Sequence, residues 1–323
     1  MQIDSSWFKR YLLPILVSLI FMWLLLKNVS ALHLIDTFKN LQLRPLLIAF
    51  VCYLVVALFR GLRVHTIYKS LGVARVDAIA ASLVHTLASN ILPGRVGELS
   101  FIVIMKQFLT TSVSQNTVSL IFMRIFDTFV VVSLFLISFV FVGIPRSQST
   151  LAILFLIMIG LALTAYYLDL AVGLGLKIVD YILGIHLWSD KGATKKLKSV
   201  FEPLRDFSHF REGGLFSQSL AFTFGAWVFL MLANIYMISS MGIVMSPLTI
   251  LFASTGAVLT SLIPVPSLAS VGTYEGGWVA TLGLLGLTAE KALLIGFTVH
   301  VINFTFCLVL GILGFAYLKF RRN

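Results

Sequence analysis

A chain of 323 residues that is 59% hydrophobic and only 11% charged is not an ordinary soluble domain, where about a quarter of residues carry charge. Apolar runs near spanning length recur from end to end, so the sequence reads as an all-α polytopic membrane protein forming a single membrane domain over residues 1–323; the alternating strand-length segments of an outer-membrane barrel are absent. The net charge of +11 does not point to nucleic acid, because the basic residues sit mostly between the apolar runs, where they set orientation and meet anionic headgroups.

Lys9 and Arg10 precede the first apolar run, 11–26, which spans if Lys27 snorkels. Residues 29–31 have the small-residue pattern of a signal cleavage site, but the many spans that follow favour an uncleaved helix. Ala31, Leu34, Ile35, Phe38 and Leu41 share one helical face, which predicts that 31–43 lies along the membrane surface. A second span is expected at 45–59, followed by Arg60, Arg63, Lys69 and Arg75. Cys52, inside it, and the distant Cys307 form neither a disulfide framework nor a metal site, and no cofactor is expected.

Asp77 then opens a broken hairpin. One arm runs to Leu92, a tip carries Asn90, Pro93, Gly94, Arg95, Gly97 and Glu98, and a return arm reaches about Leu109. Each charge here costs about 2.5–3.5 kcal/mol in hydrocarbon, and Pro93 and Gly94 free backbone groups that lipid does not satisfy. The tip must therefore be buried in protein or line a wet cavity. A span at 116–142 holds Arg124 and Asp127, and a connector with Arg146 leads to another at 151–172.

The loop 177–211 is the one long polar connection; its Lys191–Lys198 cluster is expected to hold the anionic inner leaflet. A span at 215–239 follows, then a second apolar stretch from Pro247. It breaks at Pro264, Pro266 and Gly272 and carries Glu275. The last span, 292–317, contains His300 and Asn303. With the N-terminus inside, the outer side holds only Lys27, Lys39, Arg44, Arg146 and Lys291, so the positive-inside rule places both termini in the cytoplasm of a cell membrane. The count is about six full spans plus two re-entrant hairpins.

The two broken segments match. Glu98 and Glu275 are 177 residues apart, Arg124 and His300 are 176 apart, and Asp127 and Asn303 are 176 apart. Each glutamate is followed about one span later by a polar pair at i, i+3, on one helix face. The halves, about 45–172 and 215–317, enter from opposite sides and are read as an inverted repeat. Such repeats with discontinuous helices are a common build of alternating-access transporters.

The run Asn90 to Leu99, the pair Arg124 and Asp127, and the Pro-rich break before Gly272 and Glu275 resemble the lysylphosphatidylglycerol synthase transmembrane family, also called the flippase-like domain, over essentially the whole chain. The resemblance implies a polytopic fold that moves lipids between leaflets. No soluble aminoacyl-transferase domain follows Asn323, so the synthase activity is expected to be absent and a lipid-modifying enzyme, where needed, to be separately encoded. Two departures bear on headgroup chemistry. The family tends to have an arginine soon after Glu98, whereas Lys106 is the next base here; and Ser267 to Ser270 replace a glycine-rich stretch after Pro266.

Arg95, Glu98, Arg124, Asp127, Glu275, His300 and Asn303 are accordingly the candidate substrate-binding residues. Each has a bland alternative. Arg95 with Glu98, and Arg124 with Asp127, either neutralise one another or meet a phosphate and a polar headgroup. Glu275 has no basic neighbour in sequence and is expected to face a cavity; His300 is a proton relay or a structural group; His85 and Asn234 are read as structural. The function expected is transport of a polar or anionic-headgroup lipid through a midplane cavity, with membrane lipids as partners. The alternatives are an intramembrane transferase acting on a lipid-linked substrate, for which no metal or nucleophile motif is found, and a structural membrane protein. Cysteines introduced at Arg146 and at Lys191 should label from opposite faces of intact cells; same-side labelling removes the inverted repeat.

Overall fold

The computed structural model describes residues 30–92, 96–144, 214–262 and 268–322, with isolated positions between 16 and 27 and between 147 and 167. The expected spans at 11–26 and 151–172, the Arg146 connector, the loop 177–211, and Pro93, Gly94, Arg95, Pro264 and Pro266 lie outside the described residues or only touch them at isolated positions.

Helices form the secondary structure of the described residues, and the order is simple. A short α1 (Ala31–Lys39) precedes a first set: α2 (Leu43–Tyr68), α3 (Arg75–Ile91), α4 (Val96–Leu109) and α5 (Val113–Phe141). A second set follows: α6 (Leu215–Ser240), α7 (Pro247–Ser261), α8 (Thr273–Gly283) and α9 (Ala289–Arg322). Each set thus runs long, short, short, long. Helices α2, α5, α6 and α9 are long and apolar enough to cross a bilayer, which makes this an integral membrane protein. The longest of the short helices has 17 residues, about 25 Å at 1.5 Å per residue, and falls below the roughly 30 Å of hydrocarbon.

Local chemistry explains the starts. Ser112 and Ser246 cap α5 and α7 by accepting the backbone N–H of Gln115 and Thr249, each at 3.2 Å, and Pro247 sits where its missing N–H costs nothing. Gly272 begins α8 at φ 92°, a conformation a side chain would disfavour, and its N–H donates to Glu275 Oε2 at 2.7 Å.

Packing crosses between the sets. Helix α2 lies along α6, α3 packs on α9, and α7 packs on α5. The α3–α9 seam uses small residues: a Cβ on Gly311 would meet Leu87, and one on Gly314 would meet the Ala80 carbonyl. One core joins α2, α6, α7, α8 and α9 around Met237, Ile250, Trp278 and Val299; a second joins α3, α4, α5, the end of α2 and the end of α9 around Tyr68, Phe101, Met105 and Leu318.

Two expectations are corrected. The second span does not stop at residue 59 but continues helical to Tyr68, which carries Arg60 and Arg63 into the bundle instead of leaving them at the interface. Residues 31–43 form a helix only to Lys39, and Leu34 is buried against Leu293 on α9, so part of that face is covered by protein.

Arms α3 and α4 meet where Gly97 lies against Ser89 Cα and the Ala88 carbonyl, which would stand 2.7 and 2.8 Å from an added Cβ. Backbone does not step aside as a flexible side chain does. Gly97→Ala should therefore destabilise the protein by about 1–3 kcal/mol, read as a lower unfolding midpoint in detergent.

Candidate functional site

A cavity of about 320 Å³ lies between the two sets, walled by side chains from α2, α3, α5, α6, α7, α8 and α9 and by Glu98 at the start of α4. Its polar chemistry is a ladder with two rungs in each set.

In the first set, α2 and α5 are joined by Arg63 and Asp127. The guanidinium grips the carboxylate as a fork, Nη1 to Oδ1 at 2.8 Å and Nη2 to Oδ2 at 3.2 Å. Arg63 also donates to Thr223 Oγ at 2.9 Å, and Trp227 Nε1 donates to Asp127 at 3.3 Å, so α6 closes the cluster. The second rung joins α5 to α4: Arg124 Nε lies 3.2 Å from Glu98 Oε2, and its Nη1 lies 3.9 Å from Asp127. The Nε–H is not aligned with the carboxylate, so this contact is charge attraction more than a directed hydrogen bond.

In the second set the corresponding positions carry different groups. Asn303 on α9 donates to Asn234 on α6 at 3.3 Å, in the place of the Arg63–Asp127 pair. His300 Nδ1 lies 2.6 Å from Glu275 Oε1, within hydrogen-bond distance, in the place of Arg124 and Glu98. The second set therefore joins its helices here with fewer permanent charges than the first. Tyr274 packs its ring 4.7 Å from that of His300.

Of the residues singled out in the sequence, Asn90, Glu98, Arg124, Asp127, His300 and Asn303 reach the cavity wall together. Glu275 does not: it is fully enclosed, and its link to the cavity is His300. Its basic partner is thus a histidine one helix away, not absent as the local sequence suggested. Gly97 and Gly272 serve the two breaks, the first by close packing and the second as a cap. Arg95 and the prolines of both tips lie outside the described residues.

Sequence reasoning missed Arg60, Arg63, Tyr53, Trp227 and Tyr274, and it gave His85 and Asn234 only structural roles; all seven line the cavity. One signal was available. Arg60 and Arg63 stand at i, i+3 on one helix face, as Arg124 and Asp127 do. Among the described residues Arg60 has no carboxylate within ion-pair distance, and Arg63 Nε and Asn303 Oδ1 are buried without a hydrogen-bond partner. The wall thus offers a guest the Arg60 cation. No three His, Cys, Asp or Glu side chains gather as metal ligands among the described residues.

The model of the lysylphosphatidylglycerol synthase transmembrane region matches residues 11–311. The chain belongs to this family. The match takes in every residue of the cavity wall and both helix sets up to the last turns of α9. No curated protein and no solved structure matches the chain.

Among the described residues the Arg63–Asp127 fork is the least exposed arginine–carboxylate pair on the wall, with side chains 8% and 21% accessible. Arg63→Met should cost about 3–5 kcal/mol because it strands a carboxylate, and adding Asp127→Leu should recover most of the loss. Unfolding in detergent, read for the single and double variants, checks this.

Proposed function

We propose that the protein moves a lipid with a polar or anionic headgroup between leaflets, the headgroup passing through this cavity while the acyl chains stay in the bilayer. Membership in the family supports a membrane lipid-related role. The observation that carries the finer reading is the charge of the wall. Among the described lining residues Arg60, Arg63 and Arg124 face Glu98 and Asp127, an excess of one guanidinium between helices long enough to span. Permanent charges at such depth are expensive and mark a path for polar cargo. Arginine also suits phosphate, which it binds through a planar fork.

On this reading the short pairs α3–α4 and α7–α8 are re-entrant hairpins of an inverted repeat, and both termini are cytoplasmic. Each hairpin delivers one glutamate to the last long helix of its own set, Glu98 to Arg124 and Glu275 to His300, so a headgroup meets polar partners from either side. The protein acts as a transporter and not as an enzyme, with membrane lipids as its partners and no cofactor.

The purified chain in phosphatidylcholine vesicles should equilibrate fluorescent phosphatidylglycerol across the bilayer. Arg60→Ala should slow that equilibration by about tenfold or more, the equivalent of 1.4 kcal/mol, with expression unchanged. A wild-type protein that moves no lipid probe overturns the reading.

A further inference from the structure

The two glutamate rungs differ in one chemical respect. Arg124, facing Glu98, keeps its proton under all conditions, so that rung carries a fixed charge. His300, facing Glu275, can hold one proton or two. The remaining rungs, Arg63–Asp127 and Asn234–Asn303, are a fixed ion pair and an uncharged amide pair. Resting on the lipid-moving reading above, we propose that the Glu275–His300 dyad is a proton-binding site loaded together with an anionic headgroup, so that lipid and proton travel in the same direction.

The geometry gives the proton one way in. Both Glu275 oxygens are engaged, Oε1 by His300 and Oε2 by the Gly272 N–H, and the residue has no accessible surface. The His300 side chain is 14% accessible and lines the cavity. With Nδ1 held by the carboxylate, Nε2 is the nitrogen left to accept a proton from the cavity.

Charge then links the two cargoes. A neutral imidazole on an ionised carboxylate carries one negative charge, and a proton at Nε2 makes the dyad neutral. From its own helix the dyad faces Tyr274, and α9 adds Asn303 one turn on. Helix α7 presents Thr260 and α6 presents Asn234, neither charged. Across the cavity stand His85 on α3, the three guanidiniums of α2 and α5, and the carboxylates of Glu98 and Asp127. With a neutral His85, the described groups of the site sum to zero when the dyad is empty and to +1 when it is loaded. A singly charged headgroup therefore binds best to the loaded cavity. By linkage the proton binds best with the headgroup present.

The test uses the full chain in phosphatidylcholine vesicles holding fluorescent phosphatidylglycerol, with the outside more acidic than the inside. If one proton accompanies each lipid, a gradient of about one pH unit should enrich the probe about tenfold in the inner leaflet. In Glu275→Gln and His300→Arg the charge of the dyad no longer changes, so the final distribution of the probe, at whatever rate it is reached, should ignore the gradient. His300→Arg copies the first set's rung and keeps Glu275 partnered, which guards against loss of the fold. A wild-type distribution indifferent to the gradient, or variants that follow it as wild type does, overturns the proposal. If the wild type moves no probe, the lipid-moving reading fails separately and the dyad is judged by histidine nitrogen NMR. One ring signal, absent in His300→Gln, should change as the pH is lowered; a signal that stays fixed overturns the proton site.

Discussion

Every charge placed among spanning helices needs a partner, because hydrocarbon offers none. The Arg63–Asp127 fork answers that need and organises what surrounds it. It bridges α2 and α5, takes a hydroxyl from Thr223 and an indole N–H from Trp227 on α6, and so binds three long helices at one level. Arg124 reaches the same carboxylate at a longer distance while pairing with Glu98. Four charged residues from three helices thus share one network. Removing any member leaves another exposed to a medium that does not solvate it.

The second set meets the same geometric demand with milder chemistry. Where the first set uses a guanidinium and a carboxylate, the second uses two asparagines; where the first uses arginine on glutamate, the second uses histidine. The difference puts fixed charges on one side of the cavity and a histidine–glutamate pair on the other, although the helices follow the same order of lengths. Both breaks in the short helices serve the glutamates. Gly97 lets α4 approach α3 closely beside Glu98, and Gly272 adopts the positive φ that lets Glu275 cap α8.

Helix α3 is held at both ends by α9, the last helix of the other set. Near its start Asp77 takes Arg321 at 2.6 Å and the Tyr317 hydroxyl at 3.2 Å; near its end Asn90 donates to Cys307 Sγ at 3.6 Å. Between these points Gly311 and Gly314 admit Leu87 and Leu83 at close range. The arm that carries His85 and Asn90 to the cavity is therefore fastened to the opposite set, so a shift of either set carries part of the other's wall with it.

The sequence by itself determined the class and much of the outline. Apolar runs of spanning length, the Pro and Gly breaks and the near-constant offsets between Glu98 and Glu275, Arg124 and His300, and Asp127 and Asn303 were all legible, because membrane helices advertise themselves by local composition. The family was legible for the same reason, from the run Asn90 to Leu99 and the Arg124–Asp127 pair. Partner choice was not. That Asp127 is gripped by Arg63, that Glu275 belongs to His300 and that Arg60 lines the cavity follow from which faces of α2, α5, α8 and α9 turn toward one another. Arg60 and Arg63 looked like the basic edge of a span, since a charge just past an apolar run reads as interfacial. Only the continuation of α2 to Tyr68, against an acidic residue 64 positions later, makes them interior. Helix type is decided within a few residues of sequence, but the pairing of buried charges is decided by contacts between helices far apart in the chain.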